Sequence, residues 1–205
     1  MREAENHRLI GGTLCLDFAN TLVGHGAVPR REYLMDYRDL VLWSRHVHVL
    51  TPVEANSLIR EALRRPSKPI AVFKKAFILR EMIYRIFSAV AHDTNPKQFD
   101  LNQLNAFRLE SFYHSSIIQT KKRFLLQWTD PMALDRMLWP IVLSATELLT
   151  SAELNNVKQC AGEGCDWLFL DTSRNHLRRW CTMDECGNRA KMRRRYARVR
   201  NRPSH

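Results

Sequence analysis

The chain has 205 residues and a mass of 24.1 kDa, which suits one domain with a small appended module and excludes a large multidomain enzyme. Hydrophobic residues make up 45% and charged residues 26%, enough apolar side chain for a real core, so global disorder is excluded. Thirty-two Lys and Arg against 21 Asp and Glu give a net charge of +11, which fits contact with phosphates or another anionic surface and is silent on fold.

Taken in chain order, residues 9–22, LIGGTLCLDFANTL, pass from a Gly pair into the apolar Leu14, Leu16 and Phe18, a turn feeding either a short strand or a buried helix start. Between residues 34 and 50, Leu40, Trp43, Val47 and Leu50 recur at spacings of three and four, one face of an amphipathic helix. Thr51-Pro52-Val53-Glu54 reads as the next helix start, with Thr51 as N-cap, Pro52 first in the helix and Glu54 three residues after the cap. That helix should end near Pro66. The longest periodic segment, residues 70–92, repeats Val72, Ala76, Leu79, Ile83 and Ile86 at helical intervals. Asp100 is expected to cap a shorter helix reaching about Phe112, and residues 116–128, rich in Ile, Phe and Trp around Lys121-Lys122, have the composition of a hairpin. Asp130-Pro131 should open a last helix through Leu149, kinked or divided by Pro140. The fold expected is mainly α with a small β-hairpin (α+β), a helical N-terminal domain over residues 1–157 joined to a distinct module over residues 158–205.

That module is set apart by charge and by cysteine. Residues 158–205 carry 12 basic and 5 acidic side chains, and Cys160, Cys165, Cys181 and Cys186 all lie there, with only Cys15 elsewhere. The two close pairs, each C-x4-C, suit a tetrahedral zinc site: each pair spans one edge at a Zn–S distance of about 2.3 Å, and the fifteen residues between allow a hairpin to bring the second pair opposite the first. Free structural thiols, redox pairs and rubredoxin-like iron ligands are the competing readings. Trp167 to Leu170 should form a short strand, residues 171–175 a turn, and Arg178 to Trp180 the returning strand, followed by a helix after Cys186, a treble-clef-like order. So small a module has little core, and metal binding would supply much of its folding free energy.

From Arg189 to Arg202 the chain places eight basic residues and no acid, seven of them Arg. On a helix, Arg189, Arg193, Tyr196 and Arg200 share one face while Lys191, Arg195, Arg198 and Arg202 lie on the other, so the helix cannot be sheathed in protein without burying arginines. A charge block without acids repels itself unless an anion neutralises it, and Arg is suited to bidentate phosphate and guanine contacts. Nucleic acid is the expected partner, with a solubilising tail or an acidic protein as alternatives.

The run CDWLFLDTSRNHLRRWCTMDECGNRAKMRRRYAR resembles the CGNR-type zinc finger, whose signature tetrad here is Cys186-Gly187-Asn188-Arg189. LIGGTLCLDFANTL and LSATELLTSAELNNVKQC resemble the ABATE domain that precedes this finger in bacterial stress-induced transcription regulators. The resemblance implies a DNA-binding regulator with one structural zinc held by the four cysteines. It makes Arg178, Arg179, Asn188, Arg189, Lys191, Arg193 and Arg194 candidate nucleic-acid contacts, to which the charge pattern adds Arg195 and Arg198. Asn188 could instead brace the zinc knuckle, and Arg189 could pair with Asp171.

Asp17, Asn20 and Thr21, after the Gly pair, form either a polar ligand pocket or a set of helix caps and buried hydrogen bonds. The N-terminal domain is therefore expected to sense a small-molecule effector or to form a homodimer. Neither G-x-G-x-x-G, a P-loop, H-E-x-x-H nor G-x-S-x-G occurs, which argues against an enzyme. RNA binding through Trp167, Phe169 and Tyr196 is a third reading. A charged beginning without an apolar run and the lack of any long apolar stretch point to a cytoplasmic protein with no membrane partner.

Overall fold

The computed structural model describes residues 3–25 and 30–200, the side chains of Arg198, Val199 and Arg200 excepted. At its centre lies α1 (Leu14–Ala19), in which Cys15, Leu16, Asp17, Phe18 and Ala19 are all buried. A helix covered on every side must sit inside the domain, and α1 packs against both α4 (Ser67–Ala91) and α6 (Leu138–Leu149). This settles residues 14–19 as helix rather than strand. The chain then makes a minimal ladder, β1 (Leu22–Val23) with β2 (Arg31–Glu32).

Side-chain caps set the ends of the next helices. The Asp36 carboxylate accepts from the Asp39 amide at 2.8 Å and starts α2 (Tyr37–His46). Thr51 and Glu54 form the reciprocal capping box that starts α3 (Pro52–Arg64). The long helix α4 lays Leu79, Met82, Ile83, Ile86 and Phe87 into the core. Asp100 is not the cap of α5 (Gln98–Tyr113); Lys97 holds that position, and Asp100, one turn in, is buried and pairs with Arg85 at 2.5 Å. The hairpin follows, β3 (Ser115–Gln119) with β4 (Phe124–Trp128), antiparallel with Ile117 opposite Leu126.

The helix expected from Asp130 begins only at Leu138. The Asp130 carboxylate accepts from the amides of Met132 and Ala133, at 3.1 Å each, and so fixes a turn instead of a helix. Pro140 therefore falls in the first turn of α6, where its missing N–H has no intrahelical acceptor to lose, and no kink is needed.

A third ladder joins the two parts of the chain. β5 (Val157–Gln159) runs antiparallel to β6 (Leu168–Leu170), with Val157 opposite Leu170 and Gln159 opposite Leu168. The partner of β6 is thus the segment before the first cysteine, not residues 178–180. Asp171 ends β6 and gathers the Ser173 amide at 3.0 Å, the Arg178 amide at 2.8 Å and Lys158 Nζ at 2.7 Å, which closes residues 171–178 into a loop. Alternation along β6 divides it between two cores. Leu168 and Leu170 join the helical core, whereas Phe169 joins Trp167 and the cysteines in a second cluster. On the other side of β6, the Leu170 amide donates to the Gly11 carbonyl at 2.8 Å.

Candidate metal centre and basic helix

Cys160 follows directly on β5, Cys165 closes a turn in which its own amide donates to the Gly162 carbonyl at 2.9 Å, Cys181 lies two residues before the π-turn Met183–Gly187, and Cys186 lies within that turn, which leads into α7 (Asn188–Arg200). The strand, the turn and the helix start bring all four Sγ atoms within 4.8 Å of one another. Cys165 and Cys181 sulfurs are 3.7 Å apart and Cys181 and Cys186 sulfurs 3.6 Å apart. The edge of a tetrahedron with metal–sulfur bonds of about 2.3 Å is about 3.8 Å, so the donor set has the size and shape of a closed four-thiolate site. Amides already point at the sulfurs: Cys160 Sγ accepts from Cys181 at 3.2 Å and from Gly162 at 3.4 Å.

Hydrogen bonds from Cys165 and Cys181 pull the Cys160 thiol well below its ordinary pKa, and the same sharing pushes the other two thiols up. Four sulfurs this close cannot all carry charge unless a cation sits among them. Two glycines are required here for different reasons. A Cβ on Gly162 would lie 2.9 Å from Cys186 Sγ, while Gly164 adopts φ +71°, left-handed backbone that turns the knuckle.

The predicted contact residues separate into inward and outward groups. Arg178 is half-buried; its Nε donates to the Trp180 carbonyl at 3.0 Å, its guanidinium reaches the Cys181 carbonyl, and it lies 4.3 Å from the Phe169 ring centroid. It ties the second cysteine pair to the finger's small core. Arg189 donates to Cys186 Sγ at 3.0 Å, and Asn188 Nδ2 to the Asp184 carbonyl at 3.2 Å. Both support the knuckle while remaining exposed. Asp171, the alternative partner considered for Arg189, pairs with Lys158. Arg179, Lys191, Arg193, Arg194 and Arg195 are exposed, Arg193 with a contact to Glu163. The Arg198 side chain lies outside the described residues.

Asp17, Asn20 and Thr21 are buried, and each is engaged by protein. Asp17 accepts from the Gly11 amide at 2.7 Å. Asn20 grips Leu168 of β6 at both backbone groups, donating to its carbonyl at 2.8 Å and accepting from its amide at 2.9 Å. Thr21 donates to the Phe18 carbonyl at 2.7 Å and accepts from Arg80 at 3.2 Å. These are contacts of capping and bracing groups within the protein.

Sequence reasoning missed other residues that lock the finger in place. Asp166 accepts the Gly24 amide at 3.0 Å as well as that of His25, and Arg8 pairs with Glu185 at 2.6 Å. Their partners are more than 140 positions away, so no local pattern announces them. A groove of about 530 Å³ runs between the N-terminal segment and the finger, with Arg8, Arg31, Tyr33, Trp167 and Arg189 among its walls. Glu185 and Glu3 pair with Arg8 and Arg31, whereas the groove's third guanidinium, Arg189 at the start of α7, donates to a cysteine sulfur.

A helical domain locked to a four-cysteine metal-binding finger is the class of protein that this fold and site define. Residues 156–199 match the CGNR zinc finger family. Residues 12–152 match ABATE, a family described as "Putative stress-induced transcription regulator", and the chain belongs to that family. No curated protein matches it. Among the described residues, no helix is long and apolar enough to cross a membrane.

Proposed function

We propose that the protein is a non-catalytic transcription regulator that binds one structural zinc ion through Cys160, Cys165, Cys181 and Cys186 and contacts DNA through α7. A zinc ion held by four thiolates would neutralise them, fix the knuckle and leave no open position for catalysis. The observation that carries the DNA reading is the exposure of α7: Lys191, Arg193, Arg194 and Arg195 face solvent, and no acidic residue occurs in the helix. Its start is pinned to the metal site through Cys186 and Arg189, which would aim the charged helix as a rigid projection. Single-stranded RNA is less well served, because Trp167 and Phe169 are buried and unavailable to stack on bases, which leaves Tyr196 as the exposed aromatic of the three.

The test is binding to duplex DNA across a salt series. Each phosphate neutralised should add about −0.9 to the slope of log K against log salt. Arg193→Ala, Arg194→Ala and Arg195→Ala in one chain should lower affinity and flatten that slope. Undetectable binding at low salt, or a triple variant that binds like the parent, would overturn the reading. Metal analysis of reduced protein should return one zinc per chain, lost in Cys181→Ser, Cys186→Ser.

A further inference from the structure

The outward face of α5 presents an apolar stripe with a symmetric layout. Phe99, Leu109 and Tyr113 are 66%, 75% and 85% exposed, and Asn102 and Ala106 between them are exposed as well. Spacings of three and four place these five residues within one narrow arc of the helix. The inward face is separate: Leu104, buried, points to the core, and Asp100 pairs with Arg85. The hairpin that follows at once carries two more exposed apolar side chains, Ile117 and Phe124, at 76% and 69%.

We infer that this face is the contact between two copies of the chain, packed antiparallel about a two-fold axis at Ala106. Three observations point to a second copy. First, the two ends of the stripe are self-complementary: Ala106 is its midpoint, with one aromatic seven residues before it and another seven after. A two-fold axis through Ala106 lays Phe99 of one copy against Tyr113 of the other, and the small residue at the axis permits a helix separation of about 8 Å. Second, the five large side chains together expose roughly 700 Å² of mostly apolar surface, near the about 800 Å² that each partner contributes to a standard interface. Third, the five α5 positions carry no charge, and the neighbouring Glu110 is already engaged by Lys75; the exposed cations Lys121, Lys122 and Arg123 sit beyond them at the tip of the hairpin. The two-stranded hairpin gains too, since a lone pair of strands is marginal in water. This inference is independent of DNA binding.

Sedimentation velocity of the full-length, metal-loaded chain without nucleic acid tests it. A concentration-dependent dimer is expected, with Leu109→Glu weakening the dissociation constant at least about tenfold while far-UV circular dichroism stays unchanged; Ala106→Arg replaces it if that variant does not fold. Phe99→Lys and Tyr113→Glu should each be monomeric alone, and an equal mixture should dimerise, because opposite charges then meet across the axis. A chain monomeric at every concentration, a dimer indifferent to both Leu109→Glu and Ala106→Arg, or a mixture that stays monomeric would overturn the inference.

Discussion

Two buried carboxylates respond to acid in opposite directions. Burial alone would push Asp171 up, but Lys158, Ser173 and the Arg178 amide hold it well below the usual carboxylate range. Its folded pKa lies below its unfolded value, so the stability it supplies is complete above about pH 4 and is lost as pH falls further. Asp171→Ala should cost about 3 kcal/mol at neutral pH and flatten the acid limb of a stability profile measured by urea unfolding. Asp17 behaves the other way: burial pushes it up to about 6, against the pull of the Gly11 and Ile10 amides. Its contribution is complete below about pH 4 and is lost as pH rises through 6. Asp17→Asn keeps an acceptor for Gly11 and removes that loss, so the gap in melting temperature between variant and parent should move in the variant's favour from pH 4 to 7. Parallel profiles would show that Asp17 does not titrate differently on unfolding. At the metal centre, Gly162→Ala would drive a methyl into Cys186 Sγ, and competition with a chromophoric chelator should show about tenfold or greater loss of metal affinity.

The elements explain which features of the sequence could be read. Asn20 works as a one-residue strand, its amide group satisfying both backbone groups of Leu168. Asn20→Ala leaves a buried N–H and C=O unpaired and should cost about 2–4 kcal/mol, measured by thermal or urea unfolding. Helices with local signals were legible: the Thr51 capping box marked the start of α3, which ends two residues short of Pro66, and the periodicity of residues 70–92 marked α4. The four metal-site cysteines were legible because ligand spacing is a local pattern. The partner of β6 was not, because pairing with β5 is decided by the helical core that receives Leu168 and Leu170. Asp100 and Asp130 look like caps in sequence, yet one is drawn inward by Arg85 and the other spends its carboxylate on a turn. Asp17, Asn20 and Thr21 announced a polar cluster, and only the position of β6 reveals what Asn20 holds.

At the scale of the whole molecule, the finger and the helical domain cannot melt apart without tearing β6 from one of its cores. Ser88 and Tyr84 on α4 also bind the Gln159 side chain of β5, at 2.8 and 3.1 Å. Stripping metal with a chelator should therefore lower the melting temperature of the entire chain in a single transition, read by the Trp43 and Trp139 environments as well as by Trp167. Two separate transitions, with the first confined to Trp167, would show that the ladder does not couple the parts.

Sharing one three-residue strand between two cores has a thermodynamic corollary. Linkage is reciprocal: if the ion stabilises the helical domain by some factor, anything that tightens the helical domain raises affinity for the ion by the same factor. A molecule or second copy bound far from the cysteines, on α5 for instance, would slow escape of the ion without touching a sulfur. Metal retention thus becomes a remote gauge of what the N-terminal domain has encountered, and the basic helix anchored to Cys186 is held in place only as firmly as that gauge reads.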